Sequence, residues 1–353
     1  MVVSRPIRRF TSKMVLYMSR FWTPWPSHFK NMLQTHSILH RQRNGHDTYG
    51  RKLPNVFSRT RSVTSIYISQ NKQMEAVVTY MALTVGAPVF QHLGITGKDL
   101  LKRDGPHIPE AMGIVAGIVL CFFIQRGAVF WCTLFGLWIG ALDDIIDIKW
   151  RTKLVMSAIA YVPLYQNNTN ILLFGNLIEL GMFYHVYMLS WCIWCGNAIN
   201  IYAGINGLES GQCLIIAIGL FCITQEYDIV RYICVCFVLF WFNRFPASMF
   251  VGDSWCYLSG MFFVASAQHD TEKLAVMMIP QILNTVLSLP ELMGECPRHR
   301  MPKYDRKNNV LLASGKGTLL NALLIALGPM SEERLGCLAL CIQCICVVMA
   351  III

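Results

Sequence analysis

Residues 197–212 read NAINIYAGINGLESGQ, which sets Asn200, Asn206 and Glu209 among small residues at the end of an apolar run beginning near residue 176. Polar groups at membrane depth are costly unless they line a cavity or bind something, so such a stretch reads as a functional site. Two further polar islands interrupt apolar runs, ALDDIIDIKWRTK at 141–153 and FPASMFVGDS at 245–254, and a basic segment, CPRHRMPKYD, covers 296–305.

With 54% hydrophobic and 14% charged residues over 353 positions, the chain is too apolar for an ordinary soluble domain of its length. Apolar windows recur near 76–92, 111–124, 128–142, 154–165, 176–196, 213–224, 229–243, 255–268, 274–289 and 335–353. Several are shorter than the roughly 20 residues that cross a bilayer comfortably. The expected fold is an all-α polytopic membrane protein of about ten transmembrane helices.

The net charge of +10 is not a sign of nucleic-acid binding, because residues 1–70 hold twelve Lys/Arg against a single acid, Asp47. Such an Arg-rich, acid-poor leader resembles a transit segment in composition. Residues 1–73 are therefore expected to be a disordered leader or a gene-model artefact, with Met74 as an alternative start and 74–353 as the membrane domain. The fourteen cysteines lie mostly inside apolar windows and read as small hydrophobes; the Cys192/Cys195 and Cys341/Cys344 pairs lack the second pair or histidines of a zinc site.

If the windows alternate sides from Met74, loops 97–103, 147–153, 197–212, 243–254 and 290–334 share one face. That face carries fourteen of the seventeen Lys/Arg beyond Lys72, leaving Arg126, Arg231 and Lys273 opposite. By the positive-inside rule it is cytosolic, and all four polar islands converge on it. The opposite face carries an Asn167–Asn168–Thr169 sequon.

Asp143, Asp144 and Asp147 close an apolar helix, with the third acid one turn from the first two. Carboxylates that close repel unless a cation joins them. A magnesium ion, which takes oxygen ligands and bridges to substrate phosphates, would serve; so would pairing with Lys149, Arg151 and Lys153 at a solvated helix end. Gly204, Gly207 and Gly211 allow the backbone around Asn206 to approach a ligand, while Glu209 could simply cap the next helix. Asp253 adds a carboxylate near Phe250, whose ring could stack on a base. Arg298, His299, Arg300 and Lys303 suit either bidentate phosphate recognition or attraction to anionic headgroups. Together these point to phosphoryl transfer between a soluble nucleotide-linked group and a lipid.

Four ordered blocks, LDDIIDIKWRTK, NAINIYAGINGLESGQ, FPASMFVGDSWCYLSGM and PQILNTVLSLPEL with CPRHRMPK, carry a resemblance to the polyprenyl-phosphate hexosamine-1-phosphate transferase family in its eukaryotic form. GKDLLKRDGPHIPE and LLNALLIALGP add weaker support, so the resemblance runs from about residue 75 to the C-terminus. It implies an active site on the cytosolic face of the endoplasmic reticulum membrane. There GlcNAc-1-phosphate would pass from UDP-GlcNAc to dolichyl phosphate with Mg²⁺ required. The same resemblance implies that Asp143 and Asp144 are catalytic acids, that Lys153 neutralises phosphate, and that Asn200 and Asp253 ligate the metal. It further implies that Asn206 and Phe250 hold the uracil, that Arg298, His299 and Arg300 cover the diphosphate and sugar, and that Glu110 lines the sugar side. Membrane lipid is an expected partner, nucleic acid is not, and a homodimer is an open assembly. The rival readings are a non-catalytic or incomplete paralogue and, from a different class, a cation-coupled transporter.

Overall fold

The computed structural model describes residues 56–102, 105–125, 127–146, 148–166, 169–173, 175–292 and 301–353, with side chains from Met74 onward except Trp150, Leu173 and Leu292. The chain divides into units Met1–Ser62 and Val63–Ile353, and the second holds every polar island. Helix α1 (Val56–His92) begins well before the expected residue 76, since no Gly or Pro interrupts residues 56–85. A hairpin of β1 (Thr96–Lys98) and β2 (His107–Pro109) leads to α2 (Gly113–Phe123), α3 (Gly127–Ile146) and α4 (Trp150–Ile159). A second hairpin, β3 (Asn170–Leu173) with β4 (Asn176–Glu179), precedes α5 (Phe183–Ile201), α6 (Leu208–Thr224), α7 (Tyr227–Asn243) and α8 (Gly252–Ser266). Then come α9 (Thr271–Met277), α10 (Ile279–Leu287) and α11 (Leu289–Leu292). A third hairpin, β5 (Lys303–Asp305) with β6 (Val310–Leu312), is followed by α12 (Leu319–Leu327) and α13 (Glu332–Ile352).

The molecule is mostly helical, but the expectation of an all-α chain needs correction, because three antiparallel hairpins stand among the described residues. Every apolar window carries a helix. Window 176–196 begins as the second hairpin: NILLFGNLIE folds back at Gly175, whose φ of +73° suits a residue without Cβ. Window 274–289 divides at Met278, beside Pro280 in the first turn of α10, where its missing N–H is tolerated. Helix α12 was hidden inside the expected loop 290–334. By length and composition α3 and α13 are long and apolar enough to cross a membrane, and α2 and α6 are shorter apolar helices.

Helix α8 is the axis of this unit. Every residue from Ser254 to Ser266 is buried, with α2, α3 and α5 packed around it. Glycines make the close approaches: an added Cβ at Gly136 or Gly140 of α3 would meet the α8 backbone at 2.7 and 2.4 Å, and one at Gly260 of α8 would meet the Cys195 carbonyl at 2.0 Å. The GLWIG stretch of α3 is therefore a small-xxx-small contact of the kind that lets helix backbones touch where no hydrophobic drive separates helix from lipid. From α7, Tyr232 stacks on Trp255 and Phe262 at centroid distances of 5.3 and 4.5 Å. Between α6, α10 and α13 the fully buried Gln212, Gln281 and Gln343 join side chain to side chain, with Gln281 Nε2 donating to the other two at 2.6 and 2.7 Å.

Candidate active site

Polar contacts gather at two ends of the helices. At one, Gln125 N–H and Arg231 both donate to Asp228, and Arg231 Nε lies 3.9 Å from Glu75. At the other, segments 95–112, 143–153, 204–209, 244–254, 301 and 332 meet in two polar clusters and a small cavity. Residues 97–102, 148–153, 204–209, 244–254, 301 and 332 of these segments fall in the loops that the charge pattern expects on a common face, whereas 105–112 and 143–146 fall outside them.

The first cluster joins α3, α4 and α8. Lys153 makes an ion pair with Asp143, and its Nζ lies 3.9 Å from Asp253 Oδ2. The Asp143 side chain is nearly buried, and its Oδ1 also accepts the Ile148 N–H at 3.0 Å, whereas that of Asp253 is 28% exposed. Its neighbour Asp144 makes a different contact. Both its oxygens accept backbone N–H groups at the start of α8, from Asp253 at 2.7 Å and Ser254 at 3.0 Å. These are orphan donors of a helix N-terminus, so the carboxylate caps α8 from another helix and favours the positive end of its dipole. The arrangement requires Gly252, with φ +74°, because a Cβ there would meet Asp144 Oδ2 at 2.6 Å.

The second cluster surrounds Asn206. Its Oδ1 accepts from Lys102 Nζ at 2.7 Å and from the Ala247 N–H at 2.9 Å, while its own N–H donates to Glu332 Oε1 at 2.7 Å. Lys102 Nζ also reaches Asp99 at 2.7 Å and Glu332 Oε2 at 2.8 Å, and it stands 4.8 Å from the centre of the Phe245 ring. Glu209 accepts the Gly204 N–H at 3.1 Å, so it braces the turn that presents Asn206 from within the first turn of α6.

Asn206 and Phe250 both line a cavity of ≈ 90 Å³, along with Lys98, Gly204, Glu209 and Met301. The cavity is well short of the ~300 Å³ typical of a site enclosing a whole drug-sized ligand, so it accommodates one part of a substrate. Phe250 is fixed by its backbone, donating to the Pro109 carbonyl at 2.8 Å and accepting the Met112 N–H at 3.1 Å. A Cβ at Gly97 would meet the Phe250 ring and Glu110 Oε2 both at 2.9 Å, which places that ring and carboxylate together where a side chain at position 97 would project. Glu110 is exposed along its length, but protein atoms around its carboxylate strip part of its hydration and raise its pKa above the usual range.

Of the residues singled out in the sequence, Asp143, Lys153 and Asp253 therefore meet, Asp144 binds the backbone next to them, and Asn206 and Phe250 share one cavity. Asn200 is half-buried in the last turn of α5. Arg298, His299, Arg300, Asp147 and the first two sequon positions lie outside the described residues. Asp99, Lys102 and Glu332 were missed, since their partnership spans 230 positions and no local pattern announces it.

Among the described residues no group of three His, Cys, Asp or Glu side chains is arranged to hold a metal. The donor chemistry nonetheless suits Mg²⁺, which commonly uses one or two protein carboxylates and completes its shell with water and substrate phosphate. Asp143 and Asp253 offer two such groups against a single shared ammonium.

The site thus sits in a mostly helical body with apolar helices, where a glycine-seated central helix carries an acid–cation cluster at its start. The chain belongs to glycosyl transferase family 4, whose family model matches residues 127–268 and so contains both clusters except Lys102, Asp99 and Glu332. Curated relatives named UDP-N-acetylglucosamine--dolichyl-phosphate N-acetylglucosaminephosphotransferase are similar over most of their length. The Schizosaccharomyces pombe protein is 32% identical, covering 66% of this chain and 69% of its own. For the Dictyostelium discoideum protein the identity is 29%, with 83% and 89% covered. The Saccharomyces cerevisiae protein is 28% identical, with 79% and 91% covered.

Proposed function

We propose that this protein transfers N-acetylglucosamine-1-phosphate from UDP-N-acetylglucosamine to dolichyl phosphate, giving N-acetylglucosaminyl-diphosphodolichol and UMP. This is the first step in assembling the lipid-linked oligosaccharide for protein N-glycosylation. The observation that carries the reading is the meeting of Asp143, Lys153 and Asp253 from three helices, three positions along the chain from Phe250 in the cavity wall.

An oxygen of the acceptor phosphate attacks the β-phosphorus, and the bond from that phosphorus to the bridging oxygen breaks as UMP leaves. Little covalent help is needed, so positioning and charge stabilisation dominate. Phe250 stacks on the uracil, and Asn206 hydrogen-bonds its edge. Lys153, oriented by Asp143, neutralises charge on the transferred group. Asp144 acts by holding the start of α8, and thereby Asp253, in place. Glu110 faces the sugar, and Arg298, His299 and Arg300 attend the diphosphate. Asn200 and Asp253, with Asp143 beside them, would hold Mg²⁺, which when bound would supply further positive charge to the diphosphate.

The apolar windows are read as ten spans of a multi-pass protein of the endoplasmic reticulum membrane, with the site facing the cytosol. Helices α2 and α4, with 11 and 10 residues, would be accommodated by local bilayer thinning. Association with lipid and with a second copy of the chain belongs to the same reading.

The test is to incubate purified protein with UDP-N-acetylglucosamine, dolichyl phosphate and Mg²⁺ and to measure UMP. Release that needs all three supports the proposal. Protein that binds nucleotide sugar but releases no UMP with any polyprenyl phosphate would make it a non-catalytic paralogue.

A further inference from the structure

The amide of Asn206 is oriented by its neighbours. Its Oδ1 receives two hydrogen bonds, from the Lys102 ammonium at 2.7 Å and from the Ala247 backbone N–H at 2.9 Å. Both partners can only donate, so the flip of the amide is set: the oxygen must point at them. What remains for the cavity is Nδ2, a donor with no accepting capacity. Lys102 does not itself line the cavity, but all three side chains it bonds do: Asn206 and the two carboxylates that anchor it, Asp99 and Glu332 at 2.7 and 2.8 Å. An ammonium held by two carboxylates is a stiff post against which the amide is locked, and charge-assisted bonds of this kind are the strong ones.

We propose that Lys102 is a specificity-determining positioning residue: by holding the Asn206 amide with Nδ2 toward the cavity, it makes the site read the C4 carbonyl of uracil and reject the C4 amine of cytosine. The inference rests on the reading of the cavity as a nucleotide site. Uracil and cytosine share ring size, stacking face and C2 carbonyl. They differ at C4, which is an acceptor in one and a donor in the other, with the N3 proton changing accordingly. A donor-only Nδ2 meets the first with a hydrogen bond and the second with two opposed N–H groups, leaving polar atoms unpaired. Freed from Lys102, the amide can rotate and offer its oxygen instead, so discrimination falls even where catalysis survives.

The experiment measures kcat/KM for UDP-N-acetylglucosamine and CDP-N-acetylglucosamine at saturating dolichyl phosphate in the wild-type protein, Lys102→Met, Lys102→Arg and Asn206→Asp. The wild type should prefer the uridine substrate by roughly 10- to 100-fold, the range for one unpaired polar contact. Lys102→Met should shrink that ratio at least about 5-fold, mainly through KM, and Lys102→Arg, which keeps a donor, should hold most of it. Asn206→Asp keeps the oxygen facing Lys102 and replaces Nδ2 by an acceptor, so the ratio should fall further toward the cytidine substrate. If Lys102→Met does not accumulate as folded protein, Lys102→Gln carries the same expectation. Equal losses on both substrates in the Lys102 variants, with the ratio preserved, would overturn the lock and leave Lys102 a structural residue. If Asn206→Asp also leaves the ratio unchanged, the base reading of the cavity fails with it.

Discussion

The carboxylate of Asp144 accepts the backbone N–H of Asp253 at 2.7 Å, so one acidic residue sets the position of another 109 residues away. The adjacent Asp143 instead pairs with Lys153. Two consecutive acids thus have separate tasks, because successive side chains on a helix point about 100° apart. Asp144→Asn keeps the shape but loses the charge and one acceptor at the α8 N-terminus. Loss of such a cap costs about 0.5–2 kcal/mol. Turnover should fall by about 100-fold as Asp253 drifts, the cost of misplacing a group by about 1 Å, while UDP-N-acetylglucosamine binding stays measurable. Single-turnover assays paired with calorimetric titration separate the two; abolished binding with normal transfer by the bound fraction would contradict this role.

Asp253→Asn and Asn200→Ala should each lose most activity through weakened metal use, since Mg²⁺ tolerates lost oxygen ligands poorly. Raising Mg²⁺ should partly restore Asn200→Ala. A Mg²⁺ titration of initial rates checks this. Wild-type turnover by both variants without added divalent metal would remove them from the metal site.

Phe250→Ala should act on binding. Stacking of a base on an aromatic ring contributes roughly 1–3 kcal/mol, so affinity for UDP-N-acetylglucosamine should weaken about 5- to 150-fold. The turnover of bound substrate should change far less. Unchanged affinity in a titration would take Phe250 out of the nucleotide site.

The glycine seats give a stability prediction. Gly260→Ala puts a methyl where the Cys195 carbonyl stands 2.0 Å away, and Gly140→Ala meets the Asp253 carbonyl at 2.4 Å. Overpacking of this kind typically costs about 1–3 kcal/mol, which should lower the thermal midpoint in detergent. Gly127→Ala meets nothing within 4 Å among the described residues and should leave it nearly unchanged. Equal midpoints for all three would mean that α3, α5 and α8 do not pack against one another through these glycines.

The long apolar windows were legible because runs such as 229–243 end in polar turns, and the helix there ends at Asn243 as expected. Hairpin β3–β4 was not, since Asn176–Glu179 opens the apolar window that α5 continues and only Gly175 marks the fold-back. The acids, Asn206 and Phe250 were visible because each is a polar or aromatic residue in an unusual local setting. Lys102 and Glu332 were invisible for the converse reason: a lysine in a basic loop and a glutamate in a helix's first turn look ordinary until the chain brings them together.

The central claim is that an intact sugar phosphate moves to lipid. UDP-N-acetylglucosamine labelled at the β-phosphorus, incubated with the purified protein, dolichyl phosphate and Mg²⁺, should deliver the label to the organic phase in a diphosphate lipid, in amounts equal to the UMP formed. That transfer should be lost in Asp253→Asn. Label remaining in water as UDP while sugar alone reaches the lipid, or as free N-acetylglucosamine-1-phosphate with no lipid product, would contradict the account.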